Sequence, residues 1–154
     1  MNNSDYRKQL LRRTVSTARE FQDACLGAKD PYKPIEEGSW NVHQLAAHTR
    51  DVDKLVYGLR AMRTLTEERP AFTNFDGEAY MAANYDPKES LTDMLDGFVS
   101  SVGALTETIN LMPENAWSRL SSHETDGEGL TLQIWIERGL KHIQEHLATV
   151  KKAS

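Results

Sequence analysis

The chain has 154 residues, of which 39% are hydrophobic and 27% charged, a composition typical of one ordinary globular domain and not of a disordered protein. Its formal net charge of −5 argues against a nucleic-acid partner, which would need a concentrated basic surface. No apolar run approaches the roughly 20 residues that span a bilayer, and the polar beginning MNNSDYRKQ does not resemble a signal peptide, so we expect no membrane segment.

The first predicted helix covers residues 4–27, with apolar residues three or four positions apart. These are Tyr6, Leu10, Leu11, Val15, Ala18, Phe21 and Cys25. Gly27 ends the helix, because the connector KDPYKPIEEG that follows contains two prolines and a glycine. Cys25 is the only cysteine, and it lies on the apolar side. We therefore interpret it as a packing residue of a protein in the reducing cytoplasm.

The second predicted helix has a well-marked start. Asn41 can cap it, Gln44 follows three residues later, and Trp40 can pack on Leu45 across the cap. The helix is expected to run to about Thr66, before the sequence ERPAF interrupts it. Its predicted buried face consists of Leu45, His48, Val52, Leu55, Leu59 and Met62.

Residues 70–86 are predicted to be irregular, with one short helix near 76–83. Asp86 and Pro87 are then expected to start the third long helix, whose apolar residues recur in steps of four and three until Pro113 ends it. A polar loop, SSHETDGEG, precedes the last helix, which Thr131 caps. Its apolar positions are Leu132, Ile136, Leu140, Ile143, Leu147 and Val150.

These elements predict an all-α fold, with residues 1–154 forming a single four-helix bundle. No strand-like alternation of useful length is visible, and a long crossover separates the second and third helices. The last helix begins with residues that are apolar all round and could mark the interface of a homodimer, namely Leu130, Leu132, Ile134, Trp135 and Ile136.

The helix positions of three histidines are those expected of the ligands of one metal site. His48 occupies an apolar position of the second helix, where a neutral core histidine held by one hydrogen bond is the alternative. His142 and His146 are four residues apart, so their rings lie on one face of the last helix. If the two helices are adjacent and antiparallel, all three rings meet at one end of the bundle, where they suit zinc or nickel better than calcium or magnesium.

The other candidate residues have weaker support. His43 lies roughly 140° around the helix from His48 and His123 lies in the polar loop, so we expect both to face solvent. Asp51 follows His48 by one turn and could orient a ligand, or could simply be a surface carboxylate near Lys54 or Arg50.

The segment from Trp40 to His48, WNVHQLAAH, together with the later His142 and His146, resembles the DinB-like superfamily over about residues 5–150. That resemblance implies an up-up-down-down four-helix bundle, often a homodimer, with a divalent metal bound by His48, His142 and His146. It also implies kinship with bacillithiol- and mycothiol-dependent enzymes and with metal-dependent hydrolases.

Three protein ligands leave a metal position open, as in catalytic rather than structural zinc sites. Our first hypothesis is a metal-dependent transferase that activates a low-molecular-weight thiol for transfer to a small-molecule electrophile. The alternatives are a metal-dependent hydrolase, with Asp51 or Glu145 as its base, and a dimeric bundle that binds a metal or ligand without catalysis.

Overall fold

Four long helical segments form the bundle in a computed structural model that describes residues 1–153. The α-helices are α1 (Asn3–Leu26), α2 (Val42–Val52), α3 (Gly58–Thr66), α4 (Gly77–Asn84), α5 (Leu91–Asn110) and α6 (Leu132–Val150). A π-helical turn, Asp53–Tyr57, joins α2 to α3, and a 3-10 turn spans Glu114–Ser118. α1 packs on α5 and α6, and α2 contacts the same two helices. The short α4 lies in the predicted crossover.

The predicted helix starts are confirmed at two of the three capping sites. Asn41 and Gln44 form a reciprocal capping box, in which each side chain accepts a hydrogen bond from the other's backbone N–H, at 2.7 and 2.9 Å. Thr131 caps α6. The start predicted at Asp86 is wrong, because α5 begins at Leu91 and is capped by Ser90. The Asp86 carboxylate instead accepts a hydrogen bond from the N–H of Lys88, at 2.9 Å, within the preceding turn.

A small three-stranded sheet adds to the helices, so the prediction of a purely helical chain with a polar loop is corrected. β1 (Ala71–Phe72) runs parallel to β2 (Leu120–His123), which pairs antiparallel with β3 (Gly127–Thr131). Gly127 has a φ of +90°, which suits glycine at the hairpin turn. The inward-facing residue Ser121 of β2 is polar and is satisfied internally, because Trp135 Nε1 donates a hydrogen bond to Ser121 Oγ, which donates to the Leu130 carbonyl.

The apolar beginning of α6 packs within the chain itself. Leu132 and Trp135 are fully buried, in a core region that they share with Phe72, Trp117 and Leu130. The sequence feature that suggested a subunit interface is therefore explained by the sheet, and the homodimer stays a prediction. Cys25 is also fully buried, as predicted, and burial raises the pKa of its thiol to about 12.

The π-helical turn changes which residues of the second long helix are buried. Beyond Val52 the predicted buried face is wrong, because Leu59 and Met62 are 45% and 36% exposed. A π-turn contains one residue more than an α-turn, so the buried face shifts by one position after it. Val56, Arg60 and Ala61 are buried instead.

Asp53 lies in this π-turn and is only 8% exposed. Burial raises the pKa of its carboxyl to about 7, from an ordinary value of 3.8. Between these two values, the folded protein holds a proton on Asp53 that the unfolded chain has released. The contribution of Asp53 to the free energy of unfolding therefore falls as the pH rises from about 4 to 7, and stays lowered above that range.

We expect Asp53→Asn to remove this pH dependence. At pH 8 the variant should be more stable than the wild-type protein by roughly 1–3 kcal/mol, because no charge is buried, whereas at pH 4 the two should be equal. Urea denaturation of the metal-free proteins at several pH values measures the difference. Asp51→Asn is the control: its carboxylate accepts a hydrogen bond from Arg50, so the substitution should lower stability at pH 8. Parallel pH profiles for wild type and Asp53→Asn would contradict the assignment.

Among residues 1–153, none of the helices has the length and apolarity needed to cross a membrane.

Candidate metal centre

The structure brings His48, His142 and His146 together between α2 and α6. One ring nitrogen from each residue lies within 4.8 Å of the other two. The two Nε2 atoms of His142 and His146 are 2.9 Å apart. The ring centroid of His48 is 5.6 Å from that of His142 and 5.0 Å from that of His146. The nitrogen separation of 2.9 Å and the limit of 4.8 Å bracket the about 3.4 Å expected between nitrogens that share one tetrahedral ion at about 2.0–2.1 Å.

Neighbouring residues fix the positions of these rings. Trp40 packs on His48 with ring centroids 4.9 Å apart, at the entry to α2. Gly77, the first residue of α4, also lies against the His48 ring. A Cβ added at Gly77 would be only 3.0 Å from His48 Cε1. The ring centroid of Tyr57 lies 5.3 Å from that of His142, and Tyr57 in turn packs against Gly139. The sequence WNVHQLAAH therefore supplies both a ring and the aromatic residue that packs on it.

Burial keeps the three imidazoles neutral. It lowers the pKa of His142 to about 3, with further contributions from the neighbouring His146 and His48. It lowers the pKa of His146 to about 4, again with a contribution from His48. For His48, burial lowers the pKa against the opposing effect of the Asp51 and Glu78 carboxylates. Neutral imidazole is the form that binds a metal ion.

Two ring nitrogens of the cluster are left without a hydrogen-bond partner. His48 Nδ1 and His142 Nδ1 are buried, and neither has a hydrogen-bond partner among residues 1–153. A buried polar atom without a partner is costly, and such atoms often mark a site that a ligand completes. Three nitrogen donors in a half-buried position fit zinc or nickel, and the residues present therefore fit a divalent metal.

The two carboxylates predicted as candidates lie outside this cluster. Asp51 accepts a hydrogen bond from Arg50 Nε at 2.9 Å, which is the pairing that we considered as the alternative to a role at the site. Arg50 in turn bonds Glu89. Glu145 is exposed on α6.

His43 is not a solvent-facing residue, which corrects the sequence prediction. It is fully buried, stacked on Tyr32, and its Nε2–H donates to the Glu89 carbonyl at 2.7 Å. Its Nδ1 consequently accepts a hydrogen bond from the Tyr85 hydroxyl at 2.6 Å. The connector before α2 and the crossover before α5 both cover the first turn of α2, so the side of this turn that carries His43 does not face solvent. His43 is a satisfied core histidine.

His123 also differs from its prediction. It lies at the end of β2, only 7% exposed, and lines a cavity of about 350 Å³ beside the three histidines. The cavity wall includes His48 and His142, together with Tyr57, Arg60, His123 and Arg138. Sequence reasoning missed the last four residues. The dipeptide Asp126-Gly127, a common hairpin turn, could have revealed the strand that carries His123.

A sequence profile of the DinB superfamily matches residues 8–150, almost the whole chain. The chain belongs to the DinB superfamily. This membership confirms the resemblance that the WNVHQLAAH segment and the paired histidines of α6 indicated.

The fold of this DinB-superfamily chain also matches a solved structure. YfiT from Bacillus subtilis superimposes with a TM-score of 0.87, over 100% of this chain and 89% of YfiT, at 20% sequence identity. At that identity the similarity shows a common fold, the four-helix bundle. YfiT is described as "a probable metal-dependent hydrolase with an unusual four-helix bundle topology". No functionally curated protein matches the chain significantly.

Proposed function

We propose that this protein is a metal-dependent enzyme in which His48, His142 and His146 hold one divalent ion, zinc or nickel, at the edge of a substrate cavity. The observation that carries the proposal is the convergence of three neutral imidazoles within 4.8 Å, two of them lining the cavity. A closed structural site normally has four protein ligands, whereas three leave one position for a reactant.

A divalent ion held by three imidazoles would act as a Lewis acid. It would lower the pKa of a bound water or thiol to near neutrality. The chain's own residues perform the remaining tasks. Trp40 and Gly77 hold the ring of His48, and Tyr57 borders that of His142. Burial raises the pKa of the Tyr57 hydroxyl, which therefore remains a hydrogen-bond donor at the cavity wall.

The preferred reaction is transfer of a low-molecular-weight thiol to an electrophilic small molecule. Among residues 1–153, only Asp126 lines the cavity with a carboxylate, and this carboxylate pairs with Arg138 at 2.8 Å. The described part of the cavity wall therefore offers no free carboxylate to deprotonate water. A thiol, with an ordinary pKa of about 8.5, has much less need of such a base than water.

Hydrolysis is the second candidate, and the description of YfiT as a metal-dependent hydrolase favours it. Its base would have to come from outside the cavity lining, and Asp51 and Glu78 are the candidates because both carboxylates act on His48 electrostatically.

Turnover measurements separate the two reactions. Tag-free protein loaded with zinc or nickel is incubated with monochlorobimane and a panel of thiols, and in parallel with a panel of nitrophenyl esters. We expect thiol-dependent bimane fluorescence well above the uncatalysed rate, and no ester cleavage above that of chelator-treated protein. The chelator-treated protein is the control for both assays.

Ester cleavage without thiol transfer would overturn the transferase in favour of the hydrolase. Full metal content without turnover of any thiol or ester would overturn both, and would leave a metal-binding bundle.

A further inference from the structure

The cavity beside the histidines has a positively charged wall, although the whole chain carries a net charge of −5. Arg60 and Arg138 both line it, and within the described part of the chain Asp126 is the only acidic residue of the lining. Since Asp126 neutralises one arginine, one positive charge remains on the wall. An uncompensated cation in the wall of a cavity is an arrangement that a bound anion completes.

Arg60 carries the uncompensated charge. The residue is only 9% exposed, and burial lowers the pKa of its guanidinium. Its Nη2 donates to the Thr73 carbonyl at 2.9 Å, and no carboxylate lies within ion-pair distance among residues 1–153. A guanidinium has five N–H donors, so most of its hydrogen-bonding capacity is left for a ligand. Buried arginines are normally paired, which makes this one unusual.

The arginines are held in place by Trp135. The guanidinium carbon of Arg60 lies 4.9 Å from the centroid of the Trp135 ring, and that of Arg138 lies 5.2 Å from it. Trp135 is fully buried and its indole N–H is bonded to Ser121 Oγ, so this support is rigid. Stacking restricts the guanidinium planes and lowers the entropy lost when they bind an anion.

His123 adds a neutral donor to the same wall. Its Nδ1 accepts hydrogen bonds from the backbone N–H groups of Thr125 and Asp126, at 3.1 and 3.2 Å. Backbone N–H groups only donate, so the ring proton is on Nε2, and this N–H is the group that the ring can offer to a ligand.

We propose that Arg60 and Arg138, assisted by His123, bind a carboxylate of the small-molecule substrate and thereby direct its reactive group toward His48 and His142. A carboxylate fits because its two oxygens match the paired N–H groups of a guanidinium. The inference rests on the proposed function in taking the histidine cluster as the place of reaction. The carboxylate can belong to the thiol or to the electrophile.

Paired acids and amides test the proposal by direct binding. We titrate 3-mercaptopropionate and 3-mercaptopropionamide, and separately crotonate and crotonamide, into metal-loaded and metal-free protein. The Trp135 indole cross-peak in two-dimensional ¹H–¹⁵N NMR spectra, assigned with Trp135→Phe, gives the dissociation constants. In at least one pair, the acid should bind about tenfold more tightly than the amide, in both forms of the protein. The pair that shows the preference identifies whether thiol or electrophile carries the carboxylate.

Substitutions locate the source of this preference. Arg60→Gln should abolish it, and Arg138→Gln, at a half-exposed position that should not impair folding, should reduce it at least threefold. Arg63→Gln is the matched control, because Arg63 lies on α3 with Arg60 but pairs with Glu67 outside the cavity. It should leave the preference unchanged.

Acids and amides that bind equally in both pairs would overturn the inference, as would a preference that survives both Arg60→Gln and Arg138→Gln. A preference confined to the metal-loaded protein would also overturn it, because the carboxylate would then bind the ion. Failure of the proposed function looks different: the protein would hold no metal, yet the metal-free form would still prefer the acid.

Discussion

Replacing His142 by alanine is expected to abolish stoichiometric metal binding. His142 is one of the three members of the cluster, and its ring centroid lies 4.3 Å from that of His146 and 5.6 Å from that of His48. With two ligands left, affinity for zinc or nickel should fall at least roughly 100-fold. Metal content of tag-free protein, measured by mass spectrometry, should drop from one ion per chain to near zero. Competition with a chromophoric chelator gives the change in affinity.

His43→Gln is the matched control, because it also removes one buried imidazole from the same region. His43 has hydrogen bonds to Tyr85 and Glu89, so this variant should lose roughly 1–3 kcal/mol of folding free energy and keep its metal. The two variants thus separate a ligand from a packing residue. Full occupancy in His142→Ala would exclude the three-histidine site. Loss of metal from folded His43→Gln would show that occupancy reports stability and not coordination.

Replacing Gly58 by alanine is expected to destabilise the protein by roughly 1–3 kcal/mol, which lowers Tm by roughly 3–10 °C. The Gly58 N–H donates to the Asp53 carbonyl, the bond that closes the π-turn. An added Cβ would lie 2.7 Å from that same carbonyl oxygen, closer than packed structures allow. The turn must therefore open or rearrange toward an α-helix, and calorimetry of the metal-free protein measures the cost.

Gly97→Ala provides the control for this substitution. Gly97 lies within α5, and a Cβ added there would meet no neighbouring side chain or segment within 4 Å, so alanine should raise stability by about 0.5–1 kcal/mol. If Gly58→Ala were equally stabilising, the π-turn would tolerate a Cβ at position 58, and the expected clash with the Asp53 carbonyl would be contradicted.

The parts of the fold that could be predicted are those that local chemistry determines. The Asn41 and Gln44 capping box fixes the start of α2 through two backbone hydrogen bonds between residues three apart, and Thr131 acts similarly for α6. The four-residue spacing of His142 and His146 likewise follows from helix geometry alone. For His48, the position on the helix was predictable from periodicity, because it precedes the π-turn.

The parts that could not be predicted depend on distant segments. The environment of His43 is set by Tyr32, Tyr85 and Glu89, which belong to two different connectors. The position of His123 depends on β2, whose two inward-facing residues, Ser121 and His123, are both polar, so the strand lacks the apolar alternation that identifies strands. The π-turn has no recognisable sequence pattern apart from Gly58, and its extra residue brings Arg60 to the cavity wall.

The histidines and part of the cavity wall belong to different kinds of segment. The three histidines stand on α2 and α6, inside the bundle, whereas Asn74, His123 and Asp126 of the cavity wall stand on the crossover and the hairpin. Loops tolerate insertions and substitutions far better than packed helices. Changes in these two connectors can therefore alter the shape and polarity of the cavity while the histidine-bearing helices stay the same.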